Sequence, residues 1–174
     1  MTGVQTCALP IYAEQQRSYF ALKLPHNWWV WGIDVQLSQW TDTPQRHYFE
    51  DLAETRMKGD AKLVICTAEP SWVHAGVSGP RHFRALSYMA NRALRKGIPV
   101  RAMLTGDLHH YSRYDGRIGH PGQSCETTLI TAGGAGAYTS GTHHLPREID
   151  IPCMEETFPE PDRKSTRLNS SHIA

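Results

Sequence analysis

Apolar residues along this chain follow two rhythms, and the change from one to the other outlines its elements. "RSYFALKL" (17–24) and "WWVWGIDVQL" (28–37) are dense in aromatic and β-branched residues, with the compact turn signal "PHN" between them. They predict neighbouring strands that can close as a hairpin. "TDTPQRHYFEDLAETRMKG" (41–59) changes to helical spacing, with Asp42 or Thr43 as cap, Pro44 at the first helical position and Gly59 as stop. Tyr48, Leu52 and Thr55 share its predicted inner face, broadened by Phe49, Ala53 and Met57. "AKLVICTAEP" (61–70) predicts a buried strand ended by proline, and "SWVHAGVSGP" (71–80) a loop. A second helix is predicted in 81–97, where Phe83, Leu86, Ala90 and Leu94 fall at helical spacing and Gly97 ends the pattern. "IPVRAMLTG" (98–106) and "ETTLITAGGAGAY" (126–138) predict further strands, and 115–123 is loop-like. Strands alternating with helices predict an α/β fold with helices packed on a central sheet.

The two ends carry neither rhythm. Writing Thr2–Ile11 as one set of codons and taking the reverse complement yields Asp-Arg-Lys-Ser-Thr-Arg-Leu-Asn-Ser-Ser, the sequence of 162–171. One further codon pairs Met1, as a GTG start, with His172. Eleven matched codons do not arise by chance, and the oligonucleotide resembles a common short-read sequencing adapter. Residues 1–11 and 162–174 are therefore expected to be adapter-derived and disordered, with 12–161 as the authentic part of a longer gene product. Setting aside Arg163, Lys164, Arg167 and Asp162 leaves 15 cationic against 16 anionic side chains. Nothing in that balance points to nucleic acid. No apolar run reaches the roughly 18 residues of a membrane span, no secretory leader is evident, and the parent is expected in the cytoplasm. Cys7, Cys66, Cys125 and Cys153 lack any C-x-x-C spacing and are expected as reduced thiols.

Candidate chemistry gathers where strands end, as it does in α/β sheets. "TAEP", "GDLHHY" and "GGAGAYTSGTHH" follow the third, fourth and fifth predicted strands. If 107–109 is extended, Asp107 and His109 project to one face and can grip a metal ion suited to carboxylate and imidazole, with Gly106 letting the backbone turn closely beneath it. His143 and His144 follow a glycine-rich turn and add imidazoles to the same end. The run "GGAGAY" lacks the spacing of a phosphate cradle and reads as a tight turn. His26, His47, His74, His82 and His120 are expected to be solvated. Cys66 is expected in the core, and the tryptophans are expected to pack, some against an adjoining element.

Taken in order, "QRSYFALKLP", "WWVWGIDVQL", "PQ..YF", "ICTAEPSWV", "LTGDLHHYSRY" and "ITAGGAGAY...THHLP" resemble the second half of a calcineurin-like metallophosphoesterase domain from a bacterial branch of larger proteins. The resemblance spans Tyr12 to about Pro146. It implies part of a two-layered βαβ sandwich, truncated here, and a two-metal centre that hydrolyses phosphate mono- or diesters. Gly106-Asp107-Leu108-His109 matches the family's G-H-x-H element, with Asp107 at its first histidine. By that match His109 binds one metal and Asp107 the other through oxygen. A histidine expected near Ala68 is absent and Glu69 stands beside it. His143 fits the family's "TH", Ser140 stands where another histidine is expected, and His110 is the residue expected in catalysis. The altered positions imply one or two divalent ions (manganese, iron or zinc). The upstream D-x-H, G-D and G-N-H-[DE] ligands do not occur before residue 60, and Asp60 opens a strand instead of ending one.

The resemblance thus implies a parent that hydrolyses a phosphate ester, with the N-terminal half of the domain missing and this chain inactive alone. Half a sandwich is expected to leave an apolar sheet face and unpaired strand edges. Two other classes fit the residues: a non-catalytic binding or interaction module, and a one-metal hydrolase or oxygenase using Asp107, His109 and His143 as a facial triad.

Overall fold

The computed structural model describes residues 16–35, 40–134, 138 and 140–151. The adapter-like ends, Cys7, Cys153 and the 135–137 part of the glycine run lie outside the described residues.

Six strands form one mixed sheet. β1 (Phe20–Lys23) and β2 (Trp28–Gly32) are an antiparallel hairpin, joined by a 3-10 turn over Pro25–Asn27 in which His26 and Asn27 take positive φ. α1 (Thr43–Thr55) leads to β3 (Lys62–Cys66), and α2 (Ser71–Ser78), a 3-10 turn and α3 (Arg84–Arg95) lead to β4 (Val100–Thr105). β5 (Tyr111–Ile118) and β6 (Cys125–Ala132) close the sheet in the order β1-β2-β3-β4-β6-β5. β2, β3, β4 and β6 run parallel, flanked by antiparallel β1 and β5 at the two edges.

β2, β3 and β4 are laid down in one direction, so right-handed crossovers bring α1 and α3 to the same face. Trp31 lies 4.7 Å from Phe49 of α1, and Tyr88 of α3 donates to Glu50 of α1 at 3.1 Å. Trp31, Phe49, Leu63, Ile65, Leu86 and Met103 are fully buried in this layer. Each such side chain contributes about 1.5–3 kcal/mol through burial.

Capping follows the sequence. Asp42 Oδ1 accepts from the Gln45 amide at 2.7 Å, and Pro44 occupies the first turn. After α3, Gly97 has φ +75°, and the amides of Gly97 and Ile98 donate to the carbonyls of Leu94 and Ala93. That pair of bonds is a Schellman ending, for which glycine is the least strained residue.

Four expectations are corrected. The core face of α1 is Gln45–Phe49–Ala53, continued by Met57, whereas Tyr48 and Leu52 are half-buried and Thr55 is exposed. Gln45 is buried because its amide clamps both main-chain groups of Asp34, at 2.8 and 3.0 Å, a use that hydrophobic spacing does not register. Residues 71–78 form a helix, anchored by buried Trp72, Val73 and Ala75. At eight residues, with Gly76 inside, the element is too short to display a period. The segment read as loop from 115 is strand as far as Ile118. Among the described residues β5 pairs with β6 alone, and its polar sequence fits an exposed edge. Cys66 is half-buried, on the face away from the helices.

Among the described residues no helix packs on that second face. Phe20, Leu22 and Leu104 are exposed there at 39, 51 and 37 %, beside half-buried Val30, Val64 and Ile130. Phe20 lies across the surface of Gly32, where a Cβ would collide with its ring. On the helical side, residues 140–151 form a strap. Leu145, Ile149 and Ile151 pack on the core, the Tyr114 hydroxyl donates to the Pro146 carbonyl at 2.9 Å, and Ile149 sits against Gly76. No helix among the described residues is long and apolar enough to cross a membrane.

The α1 register generates a prediction. Phe49→Ala is expected to lower unfolding free energy by about 3–5 kcal/mol, while exposed Thr55→Ala stays within about 0.5 kcal/mol. Chemical denaturation checks this, and equal effects would place the core on the other side of the helix.

Candidate functional site at the carboxyl end of the sheet

β3, β4 and β6 are parallel, so the three segments that follow them emerge at one end. They are joined there through the backbone. The Ala68 carbonyl, just past β3, accepts from the amides of Asp107 at 3.0 Å and Gly106 at 3.3 Å. The Gly133 amide, just past β6, donates to His110 O at 3.1 Å, and the Ser140 amide donates to His109 O at 2.6 Å. A Cβ on Gly133 would lie well inside van der Waals distance of the Leu108 and Gly106 carbonyls. Glycine is therefore required at 133 for the two loops to meet. At Gly106, expected to make that close approach, a Cβ would find only the Ala132 carbonyl at 4.0 Å.

Residues 107–110 are not extended. The His110 amide donates to Leu108 O at 2.8 Å, turning the chain tightly at His109, so strand alternation does not relate Asp107 to His109. Asp107 is exposed and His109 half-buried. His109 Nδ1 lies 3.1 Å from the Tyr138 carbonyl, and the two rings stack at 4.2 Å. A carbonyl can only accept, so Nδ1 carries the proton and Nε2 presents a lone pair. A backbone carbonyl on one ring nitrogen is the usual arrangement behind a metal-ligating histidine.

His110 faces inward, toward the helical side, and is 4 % exposed. Its Nε2 is 3.1 Å from Ser112 Oγ, next to the buried Thr105–Thr131 hydroxyl pair. Burial, and then the charge of nearby His144, holds its pKa below the ordinary histidine value. His143 and His144 are exposed above it with rings 5.6 Å apart, edge to face. Glu69 turns toward α2, where its Oε1 is 3.8 Å from His74 Nε2. Among the described residues no three His, Cys, Asp or Glu side chains converge closely enough to hold one ion. What the arrangement supplies is an oriented imidazole acceptor at His109, two residues along the chain from the exposed carboxylate of Asp107.

The expectation that the remaining histidines are solvated holds for exposed His26 and His47. It fails for His82, whose two ring nitrogens are shielded from solvent and find no hydrogen-bond partner among the described residues, and for His120, whose Nε2 is shielded from solvent. Pattern reading passed over Ser112, Tyr138 and the structural role of Gly133. Ser112 was within reach, since a strand starting at Tyr111 places it on the inward side with Thr131 opposite.

Two predictions arise. Gly133→Ala forces the 106–108 loop away and is expected to destabilise by about 1–3 kcal/mol, with increased amide exchange confined to 106–110 and 133–140. For His110, the unfolded ring titrates near pH 6.5 (roughly) and the folded ring lower, so the unfolded chain holds more protons in between. Stability from this group is complete above about pH 6.5 and declines as pH falls toward the folded value. His110→Gln is expected to flatten the drop in melting temperature between about pH 7.5 and 5.5, and an unchanged slope would remove His110 as its source. Compared with known protein families, curated proteins and solved structures, the chain matches none.

Proposed function

We propose that this chain is the C-terminal part of a metallophosphoesterase-type domain whose complete form hydrolyses phosphate mono- or diesters, and that the chain alone does not turn over substrate. The observation that carries the reading is His109: its Nδ1 proton is held by the Tyr138 carbonyl, which leaves Nε2 as an acceptor two residues from the free carboxylate of Asp107. Support also comes from the ordered sequence resemblance and from a sheet with helices on one side and an apolar surface on the other. One layer of a two-layered sandwich has that form. Free thiols at Cys66 and Cys125 agree with a cytoplasmic placement.

His109 through Nε2 and Asp107 through oxygen would hold the ion or ions, with the remaining ligands supplied from outside the described residues. Bound divalent metal supplies polarisation of a phosphoryl oxygen and a water acidic enough to attack at neutral pH. The chain's own contribution is positional. Ala68 and Gly133 fix the loop, Tyr138 fixes the imidazole tautomer, and buried His110 ties the loop to β5 through Ser112. His110 acts in this reading as a positioning residue, because its ring does not reach the surface.

Calorimetric titration with manganese or zinc is the test. Exchangeable binding that is lost in both Asp107→Ala and His109→Ala is expected, with no sustained hydrolysis of an aryl phosphate. Metal binding indifferent to both substitutions would refute the assignment, and sustained turnover abolished by His109→Ala would refute the inactivity of the chain.

A further inference from the structure

We propose that residues 140–151 form a detachable clasp, docked on α2 at one end and bonded to the 109–110 turn at the other, so that undocking from α2 loosens the candidate site. The inference concerns the fold of the strap and is independent of the phosphoesterase reading.

The strap is held at a few points. At its near end the Ser140 amide donates to His109 O. In its middle the Pro146 carbonyl accepts from the Tyr114 hydroxyl, and beyond that Ile149 rests on α2 at Gly76. A Cβ on Gly76 would lie 2.5 Å from Ile149 Cγ2 and 3.4 Å from Pro146 Cγ, so the bare Cα of this glycine is the socket into which the strap fits. Leu145, Ile149 and Ile151 touch the core, yet all three are only half-buried. Between these points the main chain has little support. Among the described residues, 141–151 make one backbone hydrogen bond, from Leu145 to Thr142 within the strap itself. A cleft of about 450 Å³ opens under 147–151, floored by Tyr114, Ile118 and Leu129 of the sheet. The strap therefore bridges the body instead of packing flush. Segments with few buried contacts and few main-chain bonds open at less than the cost of global unfolding.

Release has a defined route to the site. His109 and His110 each give their carbonyl to an outside amide, Ser140 from the strap and Gly133 from the loop after β6. Tyr138, whose ring stacks on His109, is two residues before Ser140 in the chain. His144 of the strap lies close enough for its charge to act on buried His110. Lifting the strap thus removes one of the two carbonyl bonds, the tether next to Tyr138, and the imidazole beside His110. Gly76 offers a clean way to start that release. Alanine suits a helix better than glycine, so Gly76→Ala fills the socket while strengthening α2, which separates undocking from loss of the helix.

Two readouts on the full chain test the clasp. Trypsin cleavage after Arg147, exposed on the strap, reports its opening, and hydrogen exchange of the bonded amides in 106–110 reports the site. Gly76→Ala and Ile149→Ala are each expected to raise cleavage after Arg147 at least about fivefold and to speed exchange in 106–110, with exchange in α3 unchanged. Because both substitutions act on one contact, the double variant should exceed the faster single variant by less than about twofold. Cleavage indifferent to both substitutions would overturn the docking on α2, and fully multiplicative effects would overturn the socket at Gly76. Faster cleavage with unchanged exchange in 106–110 would overturn the coupling. Exchange rising equally in α3 would show that the strap opens only with the whole fold, which would overturn the clasp.

Discussion

The handedness of two crossovers governs this molecule. β2, β3 and β4 advance across the sheet in one direction, and right-handed connections return both helical segments to one side. That constraint divides the sheet into two chemically distinct surfaces. On one, Trp31 meets Phe49 and the interior fills with Leu63, Ile65 and Met103. On the other, the same strands present Val30, Val64 and Leu104, over which no helix lies among the described residues. Parallel direction also decides where chemistry can gather, because the segments after β3, β4 and β6 leave at a common end.

Much of this was legible in the residues. Spacing located both long helices, the Asp42 cap and the Gly97 ending, since each reflects a local preference that the tertiary structure does not oppose. The strands with buried centres were legible for the same reason. β5 was not, because Arg113, Asp115 and Arg117 suit an edge in contact with water and carry no alternation of apolar and polar groups. α2 was hidden by its brevity. The inner side of α1 was misplaced by one position, because burial of Gln45 depends on a main-chain partner eleven residues away in sequence, at Asp34.

At the carboxyl end, the three loops leave the sheet together as the sequence implies, but with a different local geometry. Asp107 and His109 sit where strand β4 stops, as expected, but a turn of the backbone replaces the extended path that would have aligned them. The glycine that matters is Gly133, in the opposing loop, and its role depends on which carbonyls lie above it, a fact no local pattern contains. Likewise the state of the His109 ring is decided by the Tyr138 carbonyl, twenty-nine residues along the chain.

The tether between Tyr114 and the strap has its own implication. The phenol grips the main chain of Pro146, not a side chain, so it specifies the route of 140–151 while placing no demand on which residues occupy that route. Side chains along the outer surface of the strap, Arg147 and Glu148 among them, are free to diverge between descendants of this gene, whereas loss of the hydroxyl oxygen at position 114 would remove the polar anchor and leave the path to the packing of Leu145, Ile149 and Ile151.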